Sequence, residues 1–81
     1  MEVKLYTLST CSHCRAAKQF LRDAGVDFTF IDVDLLETIQ KSAVIQEIRK
    51  LNPRLTFPTI VVGDRVIVGF KEQEVREALC L

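Results

Sequence analysis

The sequence predicts an α/β domain with the element order β-α-β-α-β-β-α, a four-stranded mixed sheet flanked by helices on both faces. Three observations predict it. An opening strand-helix-strand run implies a parallel pair joined by a right-handed crossover. The two-residue turn Gly63-Asp64 between two β-branched runs adds an antiparallel pair to the same sheet. Finally, 81 residues hold one core and not two, so residues 1–81 are expected to form a single domain.

Each element follows from its pattern. Val3 to Leu8 is short and β-rich and ends at Ser9-Thr10, a strand feeding a turn. From Cys14, the apolar residues Ala17, Leu21 and Ala24, flanked by Phe20, recur at helical spacing, and Gly25 stands where a C-terminal cap belongs. Phe28, Phe30, Ile31 and Val33 make a second strand that stops at Asp34, the expected N-cap of the next helix. Leu36, Ile39, Ala43, Val44, Ile48 and Leu51 carry the helical period to Asn52-Pro53, where the proline ring ends it; Ser42 marks a candidate kink. Pro58 belongs at the entrance of the strand Thr59 to Val62, because it has no N–H to give a central ladder. Val66 to Val68 returns as the fourth strand and Gly69 breaks it. Val75, Ala78 and Leu79 then define a last helix, with Glu72 and Glu74 in its early turns.

Composition narrows the function. Apolar residues form 48% of the chain and charged residues 27%, enough hydrophobic mass for a folded domain. Eleven basic residues balance 11 acidic ones, which removes the electrostatic footprint of a nucleic-acid binder or a polybasic membrane anchor. No apolar run approaches the roughly 18 residues of a membrane span. Glu2 and Lys4 fall where a signal sequence would carry its apolar stretch, so a cytoplasmic location is expected; a monomer is expected as well.

The chemistry lies in the cysteines. Three of them, two within Cys11-Ser12-His13-Cys14, do not make the disulfide framework of a small secreted domain. A strand before Cys11 and a helix after it put its sulfur among unpaired N–H groups at the positive end of the helix dipole, where a thiolate is favoured. Cys14, nearly one turn on, can reach back and attack a mixed disulfide formed at Cys11. His13, Arg15 and Lys18 are candidates for tuning that thiolate; each also reads as an ordinary solvated side chain. Cys11 and Cys14 as small buried hydrophobes, or as half of a zinc site with His13 and Cys80, are the competing readings. His13 between the pair and Cys80 at the far end of the last helix argue against zinc, and no metal is expected. Cys80 reads as a bystander.

Tyr6-Thr7, Cys11-Ser12-His13-Cys14, Thr56-Phe57-Pro58-Thr59 and Gly69-Phe70, in that order and at these separations, resemble the glutaredoxin family over nearly the whole chain. The resemblance implies a thioredoxin-like fold and a thiol-disulfide oxidoreductase. It also implies a cis peptide before Pro58, facing the cysteines, and substrate contacts along Thr56, Phe57, Pro58, Gly69 and Phe70. No bound cofactor is implied; glutathione enters as a co-substrate, and protein disulfides are the expected partners. Three departures bear on the reductant. Leu8 stands where glutathione-using members commonly carry lysine, and Val68-Gly69 where they carry Gly-Gly. Phe70-Lys71 follows, an ending similar to that of the glutaredoxin-like electron donors of ribonucleotide reductase, which thioredoxin reductase reduces. Arg54 pulls back toward glutathione, and Ser12-His13 replaces the usual Pro-Tyr. Thioredoxin reductase and glutathione both stay open as reductants. A soft-metal module of the copper-chaperone or iron-sulfur kind is the alternative class for the pair.

Overall fold

The computed structural model describes residues 2–81. The elements are β1 (Val3–Thr7), α1 (Ser12–Asp23), β2 (Thr29–Asp32), a 3-10 turn (Val33–Leu35), α2 (Thr38–Leu51), β3 (Thr59–Val62), β4 (Arg65–Val68) and α3 (Glu72–Leu79). The strands lie in the order β2-β1-β3-β4, with β1 parallel to β2 and antiparallel to β3, and β3 antiparallel to β4. The expected order of elements and the mixed sheet are what the chain adopts.

Side-chain alternation along the strands divides the core in two. Val3 and Leu5 of β1, Ile60 and Val62 of β3 and Ile67 of β4 face Ala17 and Leu21 of α1 and Val75 and Ala78 of α3 in one buried cluster. On the opposite face, Tyr6, Val33 and Ile48 are buried beneath α2, with Leu8, Ile31, Val44, Leu51 and Phe57 packed around them. Helices α1 and α3 therefore cover one face and α2 the other.

Both outer helices end in the same way. After α1, the Gly25 N–H donates to Arg22 O at 3.1 Å and the Val26 N–H to Leu21 O at 2.9 Å, with Gly25 at φ +71°. This paired bonding satisfies carbonyls that the last turn leaves open, and it needs a left-handed residue. After α3, the Cys80 N–H donates to Glu77 O at 3.2 Å and the Leu81 N–H to Arg76 O at 2.9 Å, but the residue at φ +60° is Cys80.

Several boundaries differ from expectation. Helix α1 starts at Ser12, two residues before Cys14, because Cys11 itself is the N-cap; Ala24 at its end is exposed. Asp34 does not cap α2. It sits in the 3-10 turn, Leu36 after it is extended, and Glu37 occupies the N-cap of α2. Ile39 and Ala43 consequently turn outward, Ile39 to 86% exposure, and the helix runs through Ser42 without a break.

Candidate functional site

The strand registers gather the predicted residues at one end of the sheet. Tyr6 pairs with Thr59, Thr7 with Asp32, and Thr59 with Val68. The last residues of β1, β2 and β4 and the first of β3 therefore line up, and the cysteine loop, Pro58 and Gly69 all leave from this edge.

Cys11 is held by its backbone. Its N–H donates to Leu8 O at 3.2 Å, closing the loop after β1, and its carbonyl accepts from the Arg15 N–H at 3.1 Å. Its Sγ takes the place that a serine or aspartate oxygen fills at an ordinary N-cap, accepting the Cys14 N–H at 3.2 Å. Both thiols are free; Cys11 is half-exposed, whereas Cys14 has no exposed surface. Burial, and next the hydrogen bond with the Cys11 sulfur, push the Cys14 thiol up to about 12, against a backbone hydrogen bond at Leu8 and the Lys18 charge. The two sulfurs are thus unequal: one is half-exposed at a helix N-terminus, and the other is a buried thiol on the same turn.

The three tuning candidates separate. His13 and Arg15 are exposed. Lys18 is drawn inward, its Nζ 3.1 Å from Asp32 Oδ1 and 3.9 Å from the centre of the Phe30 ring. Thr7 Oγ1 donates to the same Asp32 oxygen at 2.6 Å.

Across from the cysteines, the Phe57-Pro58 peptide is cis and Pro58 is buried. Asn52, 1% exposed at the end of α2, organises this loop. Its Nδ2 lies 3.1 Å from Thr56 O, Thr56 Oγ1 and Thr59 Oγ1, and its Oδ1 accepts the Arg54 N–H at 3.2 Å. Thr59 Oγ1 donates to Thr56 O at 2.9 Å. Buried polar groups need such partners, and Asn52 supplies them to three neighbours at once. Thr56 itself is exposed and Phe57 half-buried.

The Gly69 N–H donates to Pro58 O at 2.8 Å, which joins the loop before β3 to the end of β4. Gly69 is there for its φ of +82°; a Cβ would meet nothing within 4 Å. Phe70 is not free to line a contact surface with its whole ring: it packs on Phe20 of α1 at 5.7 Å between centroids and against the first core cluster. A groove of about 340 Å³ beside this edge is lined by Asn52, Pro53, Arg54, Val68 and Lys71.

Asp32, Asp34 and Asn52 were not among the predicted site residues. Asp34 accepts from the Ser9 N–H at 2.8 Å and from the Ser9 hydroxyl, tying the cysteine loop to the turn after β2. Those bonds hold its carboxyl below the usual carboxylate range. An Asn before a proline reads as a helix stop, and an Asp before an apolar run reads as a cap; their long-range partners leave no local signal. Among the described residues, no three His, Cys, Asp or Glu side chains gather as metal ligands, and no helix is long and apolar enough to cross a membrane.

Comparison with known proteins agrees with this geometry. The methanoredoxin of Methanosarcina acetivorans has a solved structure that superposes with a TM-score of 0.94 at 44% identity, covering 99% of this chain and 85% of that one. The glutaredoxin-like protein NrdH of Escherichia coli is 30% identical over 71 residues, 88% of this chain and 80% of its own. The solved E. coli NrdH-redoxin, described as having a thioredoxin-like activity profile, superposes with a TM-score of 0.79 at 26% identity over 95% of this chain and 93% of that one. The family model for glutaredoxin matches residues 3–67, the stretch that carries the cysteine pair, the Pro58 loop and all but the last residue of the sheet, and the chain belongs to the glutaredoxin family.

Proposed function

We propose that the protein is a thiol-disulfide oxidoreductase that reduces protein disulfides, with Cys11 as attacking thiol and Cys14 as resolving thiol. Membership of a glutaredoxin-like redox family supports the activity at that general level. The observation that carries the residue roles is the asymmetry of the pair: Cys11 is half-exposed at an N-cap, and Cys14 is fully covered, with its thiol held protonated by burial. The Cys11 thiolate attacks a substrate disulfide and expels one substrate thiolate. Cys14 then loses its proton and attacks Cys11, expelling the second thiolate and leaving the Cys11–Cys14 disulfide for a reductant to reopen.

The reductant assigned is a protein, thioredoxin reductase. Leu8, packed into the α2-side cluster, replaces a cation that would meet a glutathione carboxylate. Loss of such a charge-assisted hydrogen bond costs about 1.5–3 kcal/mol, tenfold or more in affinity. The thioredoxin-like profile of the E. coli NrdH-redoxin supports the same choice. Glutathione is the second reading, favoured by Arg54 and Lys71 in the groove beside Val68. Phe57, Pro58 and Gly69 serve as contact residues in either case, and Phe70 offers only the part of its ring left clear of Phe20.

The test couples turnover of a protein disulfide to thioredoxin reductase, and separately to glutathione with glutathione reductase. Efficient turnover is expected with the first and poor turnover with the second; the reverse result reassigns the reductant. Cys14→Ser is expected to trap a mixed disulfide on Cys11, and iodoacetamide at neutral pH to label Cys11 before Cys14. First labelling of Cys14 would sink the residue assignment.

A further inference from the structure

Lys18 and Asp32 form the most deeply placed ion pair among the described residues, with side chains 11% and 17% exposed against 44–60% for Lys71–Glu74 and Arg76–Glu72. Removing two charges from water is costly, so the arrangement around them bears on what they do. Lys18 follows Cys14 by four residues, on the same face of α1, and helical side chains lean toward the N-terminus, back over that turn. Asp32 comes from β2, opposite Thr7, whose hydroxyl it accepts. Phe30 lies two residues earlier on the same strand face, beneath the ammonium. A carboxylate and a ring thus fix one cation at the buried end of the cysteine turn, with the Thr7 hydroxyl steadying the carboxylate.

The resolving step needs charge at a sulfur that water does not reach. We propose that Lys18 is the cation that compensates the Cys14 thiolate in that step, and that the Asp32 carboxylate paired with it partly neutralises the ammonium and so limits its pull. The inference rests on the dithiol reading above. In the step itself the Cys14 proton goes to solvent base and the sulfur's electron pair forms the bond to Cys11. The Cys11–substrate bond breaks, and its pair leaves on the substrate thiolate; Cys14 is oxidised and the substrate sulfur reduced.

Cys11 caps the helix that carries Cys14, and Asp32 lies on β2, paired with Lys18. The loop after β1 brings the Leu8 backbone, and Asp34 on the next turn is engaged with Ser9. His13 and Arg15 are exposed.

The experiment uses 5,5′-dithiobis(2-nitrobenzoate) with the full chain carrying Cys80→Ser. Attack by Cys11 releases the first thionitrobenzoate and attack by Cys14 the second, so the second rate, followed from pH 6 to 10, reports the resolving step. Lys18→Met is expected to slow it about threefold at neutral pH and to move the profile about one unit alkaline, since lower thiolate fraction is partly offset by higher nucleophilicity. Asp32→Asn is expected to do the opposite, faster by about threefold with an acid shift. Lys18→Arg should keep the parent rate, and the double variant Lys18→Met, Asp32→Asn should return toward it. A merely structural pair would send both single variants the same way. That result, or unmoved profiles in both, overturns the inference. Release of a single equivalent by the parent overturns the dithiol reading, and this one with it.

Discussion

Beneath α1 and α3 the sheet buries a continuous apolar cluster from Val3 to Ala78, while beneath α2 the fully covered apolar residues are Tyr6, Val33 and Ile48, and Asn52 and Thr59 are buried with them. The first face is held by packing and the second, at its functional end, by hydrogen bonds. Each solution suits what it carries. Cys14 grows from α1 and must be sealed from water, which close packing achieves. In the proposed function the Pro58 loop presents backbone to a partner, and Asn52 fixes that loop by hydrogen bonds.

Truncation should separate the two faces most clearly. Leu21→Ala is expected to lower unfolding free energy by about 2–5 kcal/mol, and Ile39→Ala to change it by less than about 0.5 kcal/mol, although both lie on apolar helical stripes in the sequence. Urea unfolding of the two variants checks this. Similar losses would mean that α2 packs more tightly than its exposed Ile39 indicates. A smaller effect, about 1–3 kcal/mol, is expected from Asn52→Ala, which leaves Thr56 and Thr59 without a shared donor. Amide exchange should then quicken at Gly69, whose N–H rests on Pro58 O, more than at Leu5 in the packed face. Equal protection at both sites in the variant would show that packing, not Asn52, holds the loop.

The last change expected is a modest gain. Cys80 closes α3 in the left-handed conformation that glycine supplies after α1, so Cys80→Gly should stabilise the protein by about 0.5–1 kcal/mol once the greater freedom of unfolded glycine is counted. Thermal unfolding measures it. No gain, or a loss, would mean that the contacts of Cys80 outweigh its backbone cost.

What the sequence disclosed follows the same division. The α1 and α3 face, the cysteine turn, Pro58 at a strand entrance and Gly69 after β4 all carry short-range signatures: period, cap, proline, glycine. The α2 side hid more. Asp34 looked like a helix cap because an Asp stands before an apolar run, yet its carboxylate bonds Ser9, 25 residues away. Leu36 and Ile39 fit a helical period that begins only at Thr38. Lys18 was visible as a charge near the cysteines, but its direction depended on Asp32, which only the pairing of β1 with β2 brings alongside.

The inequality of the two sulfurs also decides how the protein meets peroxide. Within the pair an oxidant has access to Cys11 and not to Cys14, so a sulfenic acid in the pair would form first at Cys11. Left alone, a sulfenic acid climbs to sulfinic and sulfonic forms that are not reduced by thiols. On the proposed dithiol chemistry the covered neighbour on the same helical turn would condense with it, water would leave, and the pair would stop at a disulfide. Burial of Cys14 therefore acts as insurance for Cys11: the thiol that never meets the oxidant is the one kept intact to close the damage reversibly.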